Sequence, residues 1–201
     1  MSLSEIDKAR IFMLDLAKSF FLGEPSEEKC KAWEQALAAL DGQTGFTPLD
    51  QAVRDLREYL ARASLSVLSE EYYRLFLDPF NENPVPLTAS YYIDGKNYGP
   101  TLARLRSLLN ALGLVKDENF KEPEDSLVCL LDFLISLIYA SNKERIPGIQ
   151  EKILFNFLKP CVEGLGQALE KRKEAGFYRR CAAFLKAYIL LEERLFLEGE
   201  V

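Results

Sequence analysis

Residues 127–140, L-V-C-L-L-D-F-L-I-S-L-I-Y-A, are apolar around nearly the whole circumference of a helix, with Asp132 as the charged interruption. A helix that is hydrophobic on every side has to be enclosed on every side. The run is too short to cross a bilayer, which takes about 20 apolar residues, so other parts of the chain must enclose it. The flanking sequence offers helices for that purpose. Ile6, Ile11, Phe12, Leu14, Leu16 and Phe20 fall at amphipathic spacing over 5–21, with Ser4 as N-cap and Gly23 and Pro25 as the stop. Ser26 caps a second helix over 27–40 that carries the single tryptophan, Trp33, and Thr47-Pro48 starts a third that runs to about Ala63. Ser69 opens a helix over 70–77, ended by Asp78-Pro79, and the helical pattern resumes over 101–112 with Gly113 as C-cap. Beyond the apolar run, Pro147-Gly148 marks a break and 149–158 is helical. Pro160 kinks or begins the next helix, and Gly176 precedes a final helix over 177–197 whose apolar face is Phe184, Leu185, Tyr188, Leu191 and Leu195. No segment alternates with a period of two, so the expected fold is all-α: one single-domain helical bundle over residues 1–201, a size that one core serves.

One stretch departs from the pattern. Residues 79–100 hold four prolines, two glycines and four aromatics with no helical period, which predicts a long loop of functional rather than linking character. Its Phe80, Tyr91, Tyr92 and Tyr98 extend a series begun by Tyr72, Tyr73 and Phe76. Tyrosines combine apolar area with a polar tip, the chemistry of a peptide-binding groove, whereas core packing accounts for Phe76 and one of the Tyr72–Tyr73 pair.

Composition narrows the function classes. The chain has no histidine, which removes the commonest general base, every Ser–His or Cys–His pair and the commonest zinc ligand. Cys30, Cys129, Cys161 and Cys181 form no C-x-x-C pair and are expected to be reduced, mostly buried thiols. No phosphate loop or dinucleotide fingerprint occurs, and no cofactor or metal is expected. A formal charge of −6 argues against nucleic acid as a partner. Charges throughout the first twenty residues rule out a secretory signal, so a soluble cytoplasmic protein without stable membrane insertion is expected.

Most carboxylates, such as those of Arg57–Glu58 and Glu192–Glu193–Arg194, read as solvated helix faces. The segment 117–132 differs, with Asp117, Glu118, Glu122, Glu124, Asp125 and Asp132 set against Lys121 alone. Capping of the Leu127 helix through its dipole accounts for the residues next to it, Pro123, Glu124 and Asp125. An acidic patch for a cationic ligand is the functional alternative. Lys171, Arg172, Lys173, Arg179 and Arg180 flank Gly176, where helix-end dipoles account for them better than phosphate binding does.

The order of the motifs carries a resemblance. The string E-Y-Y-R-L-F-L-D-P at 71–79 resembles the E-Y-x-R-L-F-x-G-P signature of the TorD/DmsD/NarJ family of molybdoenzyme chaperones. S-Y-Y-I-D-G at 90–95 and Y-G-P-T-L at 98–102 are similar to its S-V-Y-x-D-G and G-x-x-T-L elements, and E-P-E-D-S at 122–126 to E-P-x-D-H. F-L-K-P-C at 157–161 and F-Y-R-R-C-A-A-F-L-K-A-Y-I-L-L-E at 177–192 resemble its last two motifs, L-x-P-W and F-Y-x-x-x-A-x-x-x-x-x-F-x-x-x-E. Ser126 stands where the family has histidine, Cys161 where it has tryptophan and Asp78 where it has glycine. The resemblance implies an all-helical chaperone, not an enzyme, that holds the N-terminal leader of the apo-form of a molybdopterin oxidoreductase until its cofactor is inserted. By motif, the implied peptide-binding residues are Tyr72, Leu75, Phe76, Phe80, Tyr92, Asp94, Gly99, Glu122, Pro123, Asp125 and Ser126. A structural adaptor subunit of a reductase complex and a carboxylate-dependent hydrolase are the rival readings. The expected oligomeric state is a monomer or, through the 79–100 segment, a domain-swapped dimer.

Overall fold

The computed structural model describes residues 3–141 and 148–199, so the expected break at Pro147 lies outside the described residues. The fold is all-helical. Among the described residues there is no strand, and Thr88 and Ser126 form an isolated antiparallel bridge. The helices are α1 (Glu5–Phe21), α2 (Glu27–Leu40), α3 (Thr47–Leu60), α4 (Leu65–Tyr72), α5 (Ala89–Asp94), α6 (Pro100–Ala111), α7 (Leu127–Ser141), α8 (Ile149–Ile153), α9 (Lys159–Glu170) and α10 (Phe177–Glu198). Two π-helical turns are built into this order. Tyr73–Leu77 continues α4, and Leu154–Leu158 joins α8 to α9.

Local chemistry sets most boundaries as expected. The Ser4 and Ser26 hydroxyls accept the N–H groups of Asp7 and Lys29, at 3.0 and 3.2 Å. The fourth helix begins earlier than expected, because Ser64 and not Ser69 supplies its cap, accepting from Val67 N–H. Pro160 begins its helix, as the second residue of α9; the widened π turn directly before it gives room for a ring that would otherwise strike the carbonyl four residues back.

The chain divides into two compact units, residues 1–18 with 87–164 and residues 19–86 with 165–201. In the first unit, α7 is buried along both sides from Leu127 to Ile138, apart from exposed Asp132 and half-buried Ser136. The enclosure that its sequence demands is therefore present. Arg10 is also buried here, donating to Gln150 at 2.7 Å. In the second unit, α10 packs on α3 and α3 on α2. Leu49, Val53, Leu56 and Leu60 form the buried stripe of α3. Trp33 stacks on Phe177 at 5.3 Å and meets the edge of Phe20 at 5.5 Å, and its indole N–H donates to Ser19. Each of these aromatic pairs adds about 0.5–1.5 kcal/mol beyond its buried area.

The expected loop over 79–100 is only partly a loop. Residues 89–94 form α5, closed by Gly95 in the left-handed conformation (φ 75). Six residues do not sustain a helix alone; this one is held from outside itself, by a carboxylate 35 residues away. Glu192, expected on a solvated face, is buried and accepts the Tyr188 hydroxyl, while Leu191 and Leu195 are half-buried.

Candidate functional site

Three carboxylates in the motif segments hold the starts of helices that belong to other motif segments. Glu71, from E-Y-Y-R-L-F, is buried and accepts the Phe177 and Tyr178 N–H groups at 3.0 and 2.8 Å, so it caps the F-Y start of α10. Asp94, from S-Y-Y-I-D-G, accepts both the N–H and the hydroxyl of Thr101 at 2.8 Å and caps α6 in Y-G-P-T-L. Asp125, from E-P-E-D-S, accepts Ser90 N–H on Oδ2 at 2.8 Å, and its main-chain carbonyl accepts Ala89 N–H at 2.8 Å. The first N–H groups of any helix lack internal partners, and one well-made cap contributes about 0.5–2 kcal/mol.

Two glycines make this arrangement possible. A side chain at Gly99 would collide with the Asp94 carboxylate, and one at Gly164 with the ring of Tyr92. Gly176 similarly lies under the Tyr59 hydroxyl, and Arg180 stacks over that ring at 4.6 Å.

The carboxylates differ in their electrostatic settings. Removal from water pushes the Glu71 carboxyl above its ordinary range, against the pull of the N–H groups of Phe177, Tyr178 and Gly176. Asp94 is held below the ordinary range, chiefly by the Thr101 N–H. Glu124 is held low by its hydrogen bond to Arg106, at 2.7 Å. Burial drives the Tyr92 phenol and the Cys161 thiol far up, so both stay protonated at any physiological pH.

The expected capping of the Leu127 helix by its neighbouring acids takes a different form. Ser126 does that work, its hydroxyl accepting Cys129 N–H at 3.3 Å, while Asp125 serves α5 and Glu124 pairs with Arg106. A small hydroxyl residue is a good N-cap, so serine at this position has a structural use of its own.

The eleven expected peptide-binding residues divide between the two units, Tyr72, Leu75, Phe76 and Phe80 in the second and the other seven in the first. Tyr72 and Leu75 are buried, and Phe76 packs half-buried against Tyr72, Tyr178 and Phe21. Phe80 is 88% exposed. Tyr73 and Leu77 in the π turn are exposed, so of the Tyr72–Tyr73 pair it is Tyr72 that packs in the core; the sequence does not single out Leu77. In the other unit Asp125 and Ser126 are buried, Tyr92, Asp94 and Pro123 are half-buried, and Gly99 is covered. Glu122 is exposed, and its side chain makes no hydrogen bond or ion pair among the described residues. Two backbone hydrogen bonds, Ala89 N–H to Asp125 and Leu127 N–H to Leu87, fasten the tyrosine-bearing α5 beside the acidic connection.

The basic cluster near Gly176 is largely occupied with main-chain carbonyls. Arg179 donates to Ala175 and Arg172, Arg180 to Gly176, and Arg172 to Asn83. Among the described residues no group of three His, Cys, Asp or Glu side chains is placed to hold a metal ion. No helix among them is long and apolar enough to cross a membrane. Two clefts stand out. One of about 420 Å³ in the second unit is lined by Asp55, Glu58, Tyr59, Arg62 and Arg180, and one of about 570 Å³ in the first by Tyr92, Arg104 and the Leu154–Leu158 turn.

Comparison with known proteins gives the following. The family profile described as nitrate reductase delta subunit matches residues 46–154. A protein named chaperone protein TorD from Vibrio cholerae serotype O1 is 31% identical over 133 residues, a match covering 62% of this chain and 60% of that protein. The chain thus aligns with less than two thirds of that relative's length. Chaperone protein TorD of Vibrio parahaemolyticus is 28% identical over 90% of this chain and 91% of its own, and that of Histophilus somni 26% over 88% and 92%. A crystal structure of a proposed redox enzyme maturation protein from Archaeoglobus fulgidus superposes with a TM-score of 0.50 at 19% identity, covering 91% of this chain and 94% of that one; it supports the fold.

Proposed function

The chain belongs to the nitrate reductase delta subunit family, and from that membership we propose that it is an assembly chaperone, not an enzyme, acting in the cytoplasm on a molybdenum-containing oxidoreductase. It binds the N-terminal leader of the catalytic subunit and holds the apo-enzyme for cofactor insertion, before export or membrane assembly. The relatives named chaperone protein TorD support the class. The observation that carries the reading is the division of labour among the motif carboxylates. Glu71, Asp94, Glu192 and the Oδ2 of buried Asp125 face internal partners, whereas Glu122 faces solvent together with Asp117 and Glu118 on the connection fastened beside α5. Exposed tyrosines, Tyr91 and Tyr98, lie in the segment that follows the fastening point. An acidic edge with aromatic neighbours suits a leader in which basic residues precede an apolar stretch.

The hydrolase alternative needs two carboxylates converging on a substrate, and the buried acids described here face backbone N–H groups and a tyrosine hydroxyl instead. The test is calorimetric titration of the whole protein with synthetic leaders of the molybdoenzymes in its own genome. One leader binding with a dissociation constant in the micromolar range or tighter is the expected result. Failure of all of them, while an established chaperone binds its own leader under the same conditions, would remove the leader-binding claim.

A further inference from the structure

We propose a second docking site, for an acidic and apolar segment of a partner protein, in the cleft of about 570 Å³ beside the Leu154–Leu158 π turn. Its walls come from three places in one unit: Tyr92 and Ile93 on α5, Phe155 and Phe157 on the π turn, and Pro160 at the start of α9. Arg104 of α6 and Asn156 supply its polar groups. The volume lies in the range of pockets that bury several side chains or a compact ligand.

Among the described residues the lining contains no carboxylate, in a chain whose formal charge is −6, and Arg104 is the charged group that lines it. That guanidinium is exposed, donates one hydrogen bond, to the Thr101 hydroxyl at 2.7 Å, and forms no ion pair among the described residues. Asp94, whose carboxyl Arg104 helps to hold low, already has both oxygens engaged by Thr101. A guanidinium with unused donors beside an aromatic wall selects a carboxylate attached to an apolar body.

The π turn adds an independent indication. It puts an extra residue into the helix, leaving Asn156 exposed and Phe155 half-buried while Phe157 turns inward. Such turns concentrate at functional sites because the helix gives up regular hydrogen bonding to re-aim side chains. The occupant that fits is a segment with aliphatic or aromatic anchors next to an Asp or Glu. A basic leader does not fit, since Arg104 repels it. The cleft shares Tyr92 with the residues implied for the leader, but the two occupants carry opposite charge, so the Arg104 variants test this proposal without deciding leader binding.

The experiment uses the full chain and two fluorescent peptides of about 12 residues, with leucine and phenylalanine at helical spacing and either two glutamates or two lysines between them. The glutamate peptide is expected to bind roughly fivefold tighter, the size of one exposed charge pair. Its amide shifts should fall at residues 92–93, 104 and 155–157. Arg104→Glu should reverse the preference, and Arg104→Gln should abolish it even if the reversed charge disturbs the Asp94 cap. Equal affinities, an unchanged preference in both variants, or shifts confined to other residues would overturn the proposal. N-acetylphenylalanine binding as tightly as the glutamate peptide would also overturn it, by making the cleft a site for small carboxylic acids.

Discussion

Two helices start beneath a carboxylate borrowed from another motif, α10 beneath Glu71 and α6 beneath Asp94, and the two carboxylates respond to protons in opposite directions. The geometry is alike: each takes two hydrogen bonds from the first turn of its helix at 2.8–3.0 Å, two N–H groups for Glu71 and the Thr101 N–H and hydroxyl for Asp94. The surroundings differ. Glu71 is buried beneath the aromatic packing of Tyr72 and Tyr178, and loss of water outweighs its donors. Asp94 keeps contact with solvent, so its donors win. The cap fixes where a helix begins, and burial decides which protonation state the cap prefers.

This comparison can be broken at several points. Glu71→Ala should be the most damaging change, about 2–4 kcal/mol by urea unfolding, because it strands two buried N–H groups; a loss below about 1 kcal/mol would show that the α10 start does not depend on it. Asp125→Ala should cost about 1–2 kcal/mol, the value of a cap, and should loosen α5. Amide exchange over residues 89–94 would report that loosening directly, and an undisturbed α5 would contradict the account.

The pH dependence sharpens the contrast further. A carboxyl whose folded value is depressed contributes stability above its unfolded value, near about 3.9 for Asp, and loses it as pH falls through the folded value. Asp94→Asn should therefore flatten the acid side of the stability curve. Glu71 acts in the reverse sense. Its folded value lies above the unfolded one of about 4.3, so stability falls as pH rises from there through the folded value. Glu71→Gln should remove that fall. Unfolding midpoints between pH 3 and 7 that respond alike in the two variants would refute the opposition. The smallest effect belongs to Glu122→Gln, which should leave the unfolding midpoint within about 0.5 kcal/mol of equivalence and weaken a basic leader about two- to threefold.

Much of the fold is readable from local signals. Ser4 and Ser26 announce their helices, the stripe of α3 repeats at helical spacing, and the apolar run of α7 demands the burial it has. The parts that escape depend on partners distant in sequence. Nothing near 89–94 indicates that Asp125 will complete a six-residue helix there, and Glu192 looks like any surface acid until Tyr188 points a hydroxyl at it in the core. The π turns escape for another reason. Periodicity assumes a constant turn and cannot show that one residue is added in 73–77 or in 154–158.

The expected site shows the same limit. Its motif segments are legible one by one, yet the sequence does not say that E-Y-Y-R-L-F and F-Y, or S-Y-Y-I-D-G and Y-G-P-T-L, are tied to each other by a carboxylate. Arg104 carries no sequence signal that separates it from the other surface arginines. Its place in a lining without carboxylates, among the described residues, is what does so.

Hydrogen exchange at four amides, those of Ser90, Thr101, Phe177 and Tyr178, separates a fastening role of the motif carboxylates from a binding role. Amides in the first turn of a helix have no internal acceptor and exchange quickly unless something outside the helix caps them. Slow exchange is expected at all four, unchanged when a leader is bound, with Phe177 and Tyr178 released by Glu71→Ala and Ser90 by Asp125→Ala. Fast exchange in the unaltered protein, or loss of protection on leader binding, would mean that these carboxylates are available to a partner and are not the fastenings of the fold.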